Sequence, residues 1–328
     1  MQAGNRAYSD IDQGGDTNTA NVDQAGNRNY SDIDQMGIEN TATVTQTAGD
    51  SDRSYIDQTG NKNTATVTQD GTASGPFFVA KGNLSEITQS GSSNTATVTQ
   101  VERNDDGILN LDRGSFIIQT GDDNDAIVDQ TGSNKSDILQ SGHDNTAMVT
   151  QNGGNGSDIL QSGNANGATV NQTGLLNISD IDQLGNGNTA SVVQAVQGIS
   201  TIVQSGNGNG ALVVQGGGLN TSSVDQSGNL NTTVVTQLGI GNMSTVNQSS
   251  SLSGAIVTQT GLLNTSDLTQ MGGIINGAVI TQDGNNHSST LTQNGSFNAA
   301  TVSQTGNGHV SNFSQNGNGN NSNVSQSN

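Results

Sequence analysis

The stretch Ser31–Gln46, SDIDQMGIENTATVTQ, decides the fold. In its second half Asn40, Ala42, Val44 and Gln46 fall at every other position, with Thr41, Thr43 and Thr45 between them. Period two is the mark of a β-strand that turns one face inward. Ser31, Ile33 and Gln35 alternate in the same way with Asp32 and Asp34. Between the two runs stands Gly37, two residues after Gln35 and followed by a polar-ended pair, where a tight turn with positive φ is predicted. The stretch reads as strand, turn, strand.

The unit recurs through the chain. With Gln as register mark, 28 units end at Gln13 through Gln326, nearly all eleven residues apart, and in 21 of them Asn stands six residues before the Gln. An eleven-residue period can also describe a right-handed helical supercoil. Glycine two after the Gln, as at Gly37, Gly60, Gly132 and Gly228, would break a helix in each unit, so the period belongs to strands and turns. Adjacent units differ regularly: the third residue is Ser in one (Ser31, Ser54, Ser85, Ser136) and Ala in the next (Ala42, Ala65, Ala96, Ala147). The true repeat is a pair of about 22 residues.

If the two arms of a pair face each other across a core, Asn29 faces Gln46, Ser31 faces Val44, Ile33 faces Ala42 and Gln35 faces Asn40. Large then sits opposite small at both central levels, which keeps a two-layer core at constant width. An amide lies at each end of every arm. Stacked at roughly 4.8 Å per rung, the inward Asn29, Gln35, Asn40, Gln46, Asn63, Gln69, Asn94, Gln100, Asn124 and Gln130 are predicted to bond up and down their columns as ladders. The fold expected is all-β: a two-sheet parallel β-solenoid of about 14 stacked strand-turn-strand rungs, amyloid-like, and a single domain over 1–328.

Composition by itself points elsewhere. Only 29% of the 328 residues are hydrophobic and 2% aromatic, and the formal charge is −20, values of a solvated acidic chain that cannot offset its ordering entropy. The order of the residues overturns that reading. The absence of Cys excludes disulfides, thiolate metal sites and thiol nucleophiles. No apolar run approaches a membrane span. Eight Lys and Arg against 28 acids argue against nucleic acid as a partner. Met1-Gln2-Ala3-Gly4 already lies inside the repeat, which leaves either a removed signal peptide or none.

The spacing Asn29-x5-Gln35-x-Gly37-x2-Asn40-x-Ala42-x3-Gln46 resembles the curlin repeat of the bacterial curli major subunit, over nearly the whole chain. Asn29, Asn63 and Asn83 stand where that family usually has Ser, its N-terminal targeting segment is not visible, and the number of pairs exceeds the family's usual handful. The resemblance implies a secreted bacterial subunit that crosses the outer membrane unfolded and polymerises into extracellular amyloid fibres of the biofilm matrix. The partners it implies are other copies of the chain, with the secretion and nucleation partners of a curli-type system.

Two insertions interrupt the rhythm, 70–82 and 101–112, and their apolar residues Phe77, Phe78, Val79, Ile108, Leu109 and Leu111 suggest a small satellite cluster. Outward acids recur on one sheet: Asp10, Asp12, Asp32, Asp34, Asp57, Glu86, Asp137, Asp158, Asp180 and Asp182. The other sheet carries Thr41, Thr43, Thr45, then Thr64, Thr66, Thr68, then Thr95, Thr97, Thr99, rows that resemble an ice-binding surface and give an alternative function. His143, His287 and His309 have no nucleophile or acid constellation, and the latter two stand at Asn positions of the ladder; no catalytic, metal or cofactor site is expected. Neither end shows a capping helix, so Gln13 at one side and Asn320, Val324 and Gln326 at the other are expected to act as assembly ends.

Overall fold

The computed structural model describes residues 2–3, 6–47, 51–71, 82–101 and 114–328. Among these, regular structure is β-strand throughout. The chain forms two units, Met1–Ala165 and Asn166–Asn328.

In the first unit the serine arms pair in parallel with the next serine arm, about one two-arm repeat later in the chain. Tyr8–Asp16 lies on Tyr30–Ile38, then Arg53–Asn61, Leu84–Ser92, Gly114–Asp122 and Lys135–His143. Their register aligns Ser9 with Ser31, Ser54, Ser85, Ser115 and Ser136. The alanine arms stack separately, aligning Ala20, Ala42, Ala65, Ala96, Ala126 and Ala147. The second unit repeats the scheme. Ser179, Ser200, Ser222, Ser244, Ser266, Ser289 and Ser311 form one column. Ala168, Ala190, Ala211, Thr233, Ala255, Ala278, Ala300 and Ser322 form the other. Each unit is thus a two-sheet parallel β-solenoid.

The core is two side chains deep. Ile33, Ala42, Val44, Ile87, Ala96 and Val98 are fully buried, as are Ile181, Val192, Val213 and Leu291 in the second unit. Inward apolar residues repeat at the same register from rung to rung, with Thr233 and Ser322 as exceptions in the alanine column, so an unusually small apolar complement closes a continuous core. The expected facing of the arms is held at both ends. Gln46 Nε2 donates to the carbonyl of Tyr30, next to Asn29 (3.1 Å), and Asn40 Nδ2 donates to the carbonyl of Met36, next to Gln35 (3.2 Å).

The turn glycines divide into two kinds. Gly37, Gly60 and Gly132 have φ of 125°, 120° and 95°, as expected. Gly228 does not take a positive φ. In its turn the left-handed residue comes later, at Leu230 (φ 57°), and Gly228 is required because a Cβ there would collide with the carbonyl oxygen of Ser250 in the next rung. Asp70 and Val101, assigned to insertions, are the last residues of the strands Thr64–Asp70 and Thr95–Val101. The remainder of both insertions and the proposed satellite cluster, Phe77, Phe78, Val79, Ile108, Leu109 and Leu111, lie outside the described residues, Gly71 and Gly82 excepted.

Candidate functional site: the buried amide ladders

Except at Gln13 and Gln326, the glutamine at the end of each described arm is buried, and it makes the bond the ladder needs. Along the alanine arms Gln24 Nε2 donates to Gln46 Oε1 (2.8 Å), Gln46 to Gln69 (2.8 Å), Gln69 to Gln100 (2.9 Å), Gln100 to Gln130 (3.1 Å) and Gln130 to Gln151 (2.8 Å). Along the serine arms Gln13 donates to Gln35 (2.6 Å), Gln35 to Gln58 (2.7 Å) and Gln58 to Gln89 (2.8 Å). The second N–H of the amide crosses the core. Gln35 donates it to the carbonyl of Thr19, Gln58 to Thr41, Gln69 to Arg53 and Gln100 to Leu84. One side chain therefore ties a rung to the next rung and one sheet to the other. Because each amide has its partners, its burial is tolerable.

The asparagine columns work differently from the amide-to-amide ladder expected. Asn40 Oδ1 accepts the backbone N–H of Asn63 (3.0 Å), Asn63 Oδ1 that of Asn94 (3.0 Å), and Asn94 Oδ1 that of Asn124 (3.1 Å). The Asn amide donates to turn carbonyls instead: Asn40 to Gly60 (2.9 Å), Asn63 to Gly91 (3.0 Å) and Asn124 to Gly142 (3.0 Å). The short side chain reaches the turn backbone of the next rung before it reaches that rung's amide. Side-chain pairs occur as an addition, as from Asn94 to Asn63 (3.1 Å).

Three substitutions within the columns keep the pattern by other chemistry. At an Asn position Asp52, fully buried, accepts the backbone N–H of Asn83 (2.8 Å) on its carboxylate. His287, 1% exposed, accepts the backbone N–H of His309 on Nδ1 (3.3 Å), and the two imidazoles stack with centroids 5.3 Å apart. Thr233 replaces Ala and bridges Gln226 and Gln248 through its hydroxyl (3.2 and 2.7 Å). The two histidines were legible from their Asn register; Asp52 and Thr233 were legible only as deviations from it. The serine column carries a cost that spacing did not reveal: the buried hydroxyls of Ser31, Ser54, Ser85, Ser136, Ser222 and Ser244, among others, have no hydrogen-bond partner.

The outward rows are less regular than the sequence suggested. Asp10 aligns with Asp32, but Tyr55 follows, then Glu86, Phe116, Asp137 and Asp158. The neighbouring column Asp12, Asp34, Asp57 is uninterrupted for three rungs and then gives way to Thr88. Desolvation, followed by the charges of Asp32, Asp57, Asp12 and Asp10, holds the Asp34 carboxyl above its usual range. Tyr8 and Tyr30 stack beside this row at 5.4 Å. Among the described residues no group of His, Asp or Glu is placed to hold a metal ion. The threonine array is in register over its three rungs and is followed by Asp125, Ile127 and Asp129. The arm Asn321–Ser327 pairs with Ala299–Asn307, and its Val324 is half-buried where the aligned Val302 is buried.

Four stretches, 15–47, 39–71, 121–153 and 163–195, match the model of the Curlin associated repeat. They include ladder members Gln24, Gln35, Asn40, Gln46, Asn63, Gln69, Asn124 and Gln130. No curated protein matches the chain.

Proposed function

Since the chain belongs to the curlin-repeat family, a family of structural amyloid subunits, we propose that it is the subunit of an extracellular, curli-like amyloid fibre. The observation that carries this reading is the sameness of the junctions. Every rung offers the next one backbone N–H and C=O groups in parallel register, a Gln amide at one end and an Asn acceptor at the other. A rung from another copy can satisfy the same groups in the same way, so the bonds that build the solenoid also suffice to join chain to chain. We assign this stacking to the rung edges at Gln13 and at Asn320, Val324 and Gln326, and growth to rung-on-rung addition of unfolded monomers. In this reading the chain is secreted, its main partner is itself, and the fibres serve adhesion and cell aggregation in a bacterial biofilm matrix.

The ice-binding alternative draws no support, because its threonine rows give way to Asp125, Ile127 and Asp129. Electron microscopy and fibre diffraction of the purified chain separate the two. Fibres many chains long with a meridional spacing of roughly 4.8 Å are expected; monodisperse particles of one chain's length, together with inhibition of ice recrystallisation, would overturn the proposal.

A further inference from the structure

The alanine-arm face of the second unit holds a groove that nothing inside the chain explains. Gly254, Gly277 and Ala299 align to form its floor, and Val234, Ile256 and Val279 align to form the ridge beside it. The groove has a volume of about 430 Å³. Neither Gly254 nor Gly277 takes a positive φ, and a Cβ added to either would meet nothing within 4 Å. Each is the first residue of its strand, where a glycine contributes no side chain, and here the loss brings neither a positive φ nor internal packing. An open strand glycine marks a place where another backbone or ligand approaches closely. The ridge is equally unexplained, since Ile256 is 45% exposed on a face where threonine would serve the strand.

We propose that this face pairs with the same face of a second copy, the Val234–Ile256–Val279 ridge of each entering the Gly254–Gly277–Ala299 trough of the other. The face carries both halves of the contact, which suits an isologous two-fold interface. For ridge to meet trough in both directions, the two-fold axis must run along the stack, between the two columns, so the paired solenoids lie parallel. A two-fold axis along the strands would set ridge against ridge. In the parallel pair the exposed corner residues Leu252 and Ile275 of one copy lie over the Thr236, Thr258 and Thr281 column of the other.

Charge and area both favour a second copy as the occupant. All eight Lys and Arg precede residue 136, and only five of the 28 acids follow residue 165. The outward positions of the eight six-residue alanine arms, from Gly167 to Ser325, are uncharged, and the nearest charge on these strands, Asp283, stands past Gln282 at the margin of the face, so two copies meet over the arms without burying an ion. An arm six residues wide, stacked eight rungs high, presents roughly 750 Å² per copy by standard strand spacings. Roughly 1,500 Å² for the pair lies in the range of stable interfaces.

The pairing does not depend on polymerisation and can be read in the soluble chain. Because the protein has no Cys, single cysteines report contacts cleanly. Full-length Gly254→Cys and Ile256→Cys chains, mixed and oxidised with glutathione disulfide, are expected to cross-link as a mixture, and much less when each is oxidised alone. Cross-linking of Ile256→Cys with itself as readily as with Gly254→Cys would overturn the proposal, as would a mixture no more reactive than a Ser223→Cys control on the opposite face. The Gly254→Thr/Gly277→Thr variant fills the trough with side chains for which the structure has room. By sedimentation it is expected to shift from dimer to monomer with an unchanged circular dichroism spectrum, and in fibres to halve the mass per length. An unshifted dimer with the fold intact refutes the pairing, whether or not fibres form.

Discussion

Replacing Gln237 by Ala tests the inward ladder where it is best isolated, in the middle of the second unit. Gln237 is fully buried; its Oε1 accepts from Gln215 (2.8 Å), and its Nε2 donates to Gln259 (2.8 Å) and to the carbonyl of Thr221 (2.9 Å). Truncation removes three hydrogen bonds at once. It leaves the Gln215 N–H and the Gln259 oxygen facing each other across a gap too wide to close, while the Thr221 carbonyl keeps its place in the sheet. Two buried groups left without these partners cost about 2–4 kcal/mol together. Because a solenoid is stabilised rung by rung, the loss is local and is read best by amide hydrogen exchange over Thr232–Ile240. Exchange there is expected to accelerate roughly 30- to 1,000-fold, a tenfold change for each 1.4 kcal/mol. Thr236→Ser, one residue away and facing outward, is expected to change it less than about threefold. Gln237→Leu, which fills the gap without restoring the bonds, separates lost packing from lost hydrogen bonds. Equal exchange in Gln237→Ala and Thr236→Ser would show that the amides merely occupy the core and do not hold it.

Ser222→Ala removes a hydroxyl that is buried without a partner, so the change is expected to be neutral or stabilising by up to about 1–2 kcal/mol, seen as slower exchange in the Thr221–Gln226 arm. The Asp34 carboxyl has its pKa raised in the folded stack by desolvation and by Asp32, Asp57, Asp12 and Asp10, so the folded state binds a proton more readily than the unfolded chain does. Stability from this group is therefore gained as pH falls through the interval just above the ordinary carboxyl range and lost as pH rises through it. Fibre growth is expected to accelerate in mild acid and in added salt, and Asp32→Asn/Asp34→Asn to reproduce the acceleration at neutral pH; growth kinetics indifferent to both pH and salt would remove the acidic row from any role in assembly.

The strand assignment was legible because the period-two signal, the glycine after each Gln and the alternation of Ser and Ala all agree, so one stretch such as Ser31–Gln46 predicts the register of the rest. Inward burial of Gln35, Asn40, Ala42 and Val44 follows from that register alone. The hydrogen-bond chemistry was legible only in part. Gln and Asn occupy equivalent ends of the arms, and spacing treats them alike. One methylene separates them: the Gln amide reaches across to the opposite sheet and up to the next Gln, whereas the Asn amide stops at the turn carbonyl of the next rung. The role of Gly228 was misread for a similar reason, since a glycine that admits a positive φ and one that admits a neighbouring carbonyl look identical in sequence. The unpaired serine hydroxyls were invisible because Ser and Ala serve the size alternation equally well.

Apart from single inward replacements such as Asp52, Thr233 and His287, what separates the two units lies in their outward residues. Inward, Ser31 and Ser244, Val44 and Val257, Gln46 and Gln259 occupy the same registers in the same surroundings. Outward, the first unit carries all the cations and most of the acids, while the second exposes Leu212, Ile240, Ile256, Leu263 and Phe297. Because successive side chains of a strand point to opposite faces, the outward set can change without disturbing the inward set. That independence makes the surface free to acquire properties the ladder does not need: like-charge repulsion along the Asp12, Asp34 and Asp57 row, and an uncharged, self-complementary face at Gly254 and Ile256. It also separates the experimental outcomes, since variants of Gln237 act on stacking and variants of Gly254 and Gly277 on lateral pairing. Any outward substitution that altered exchange of the buried amides as strongly as Gln237→Ala would contradict this division.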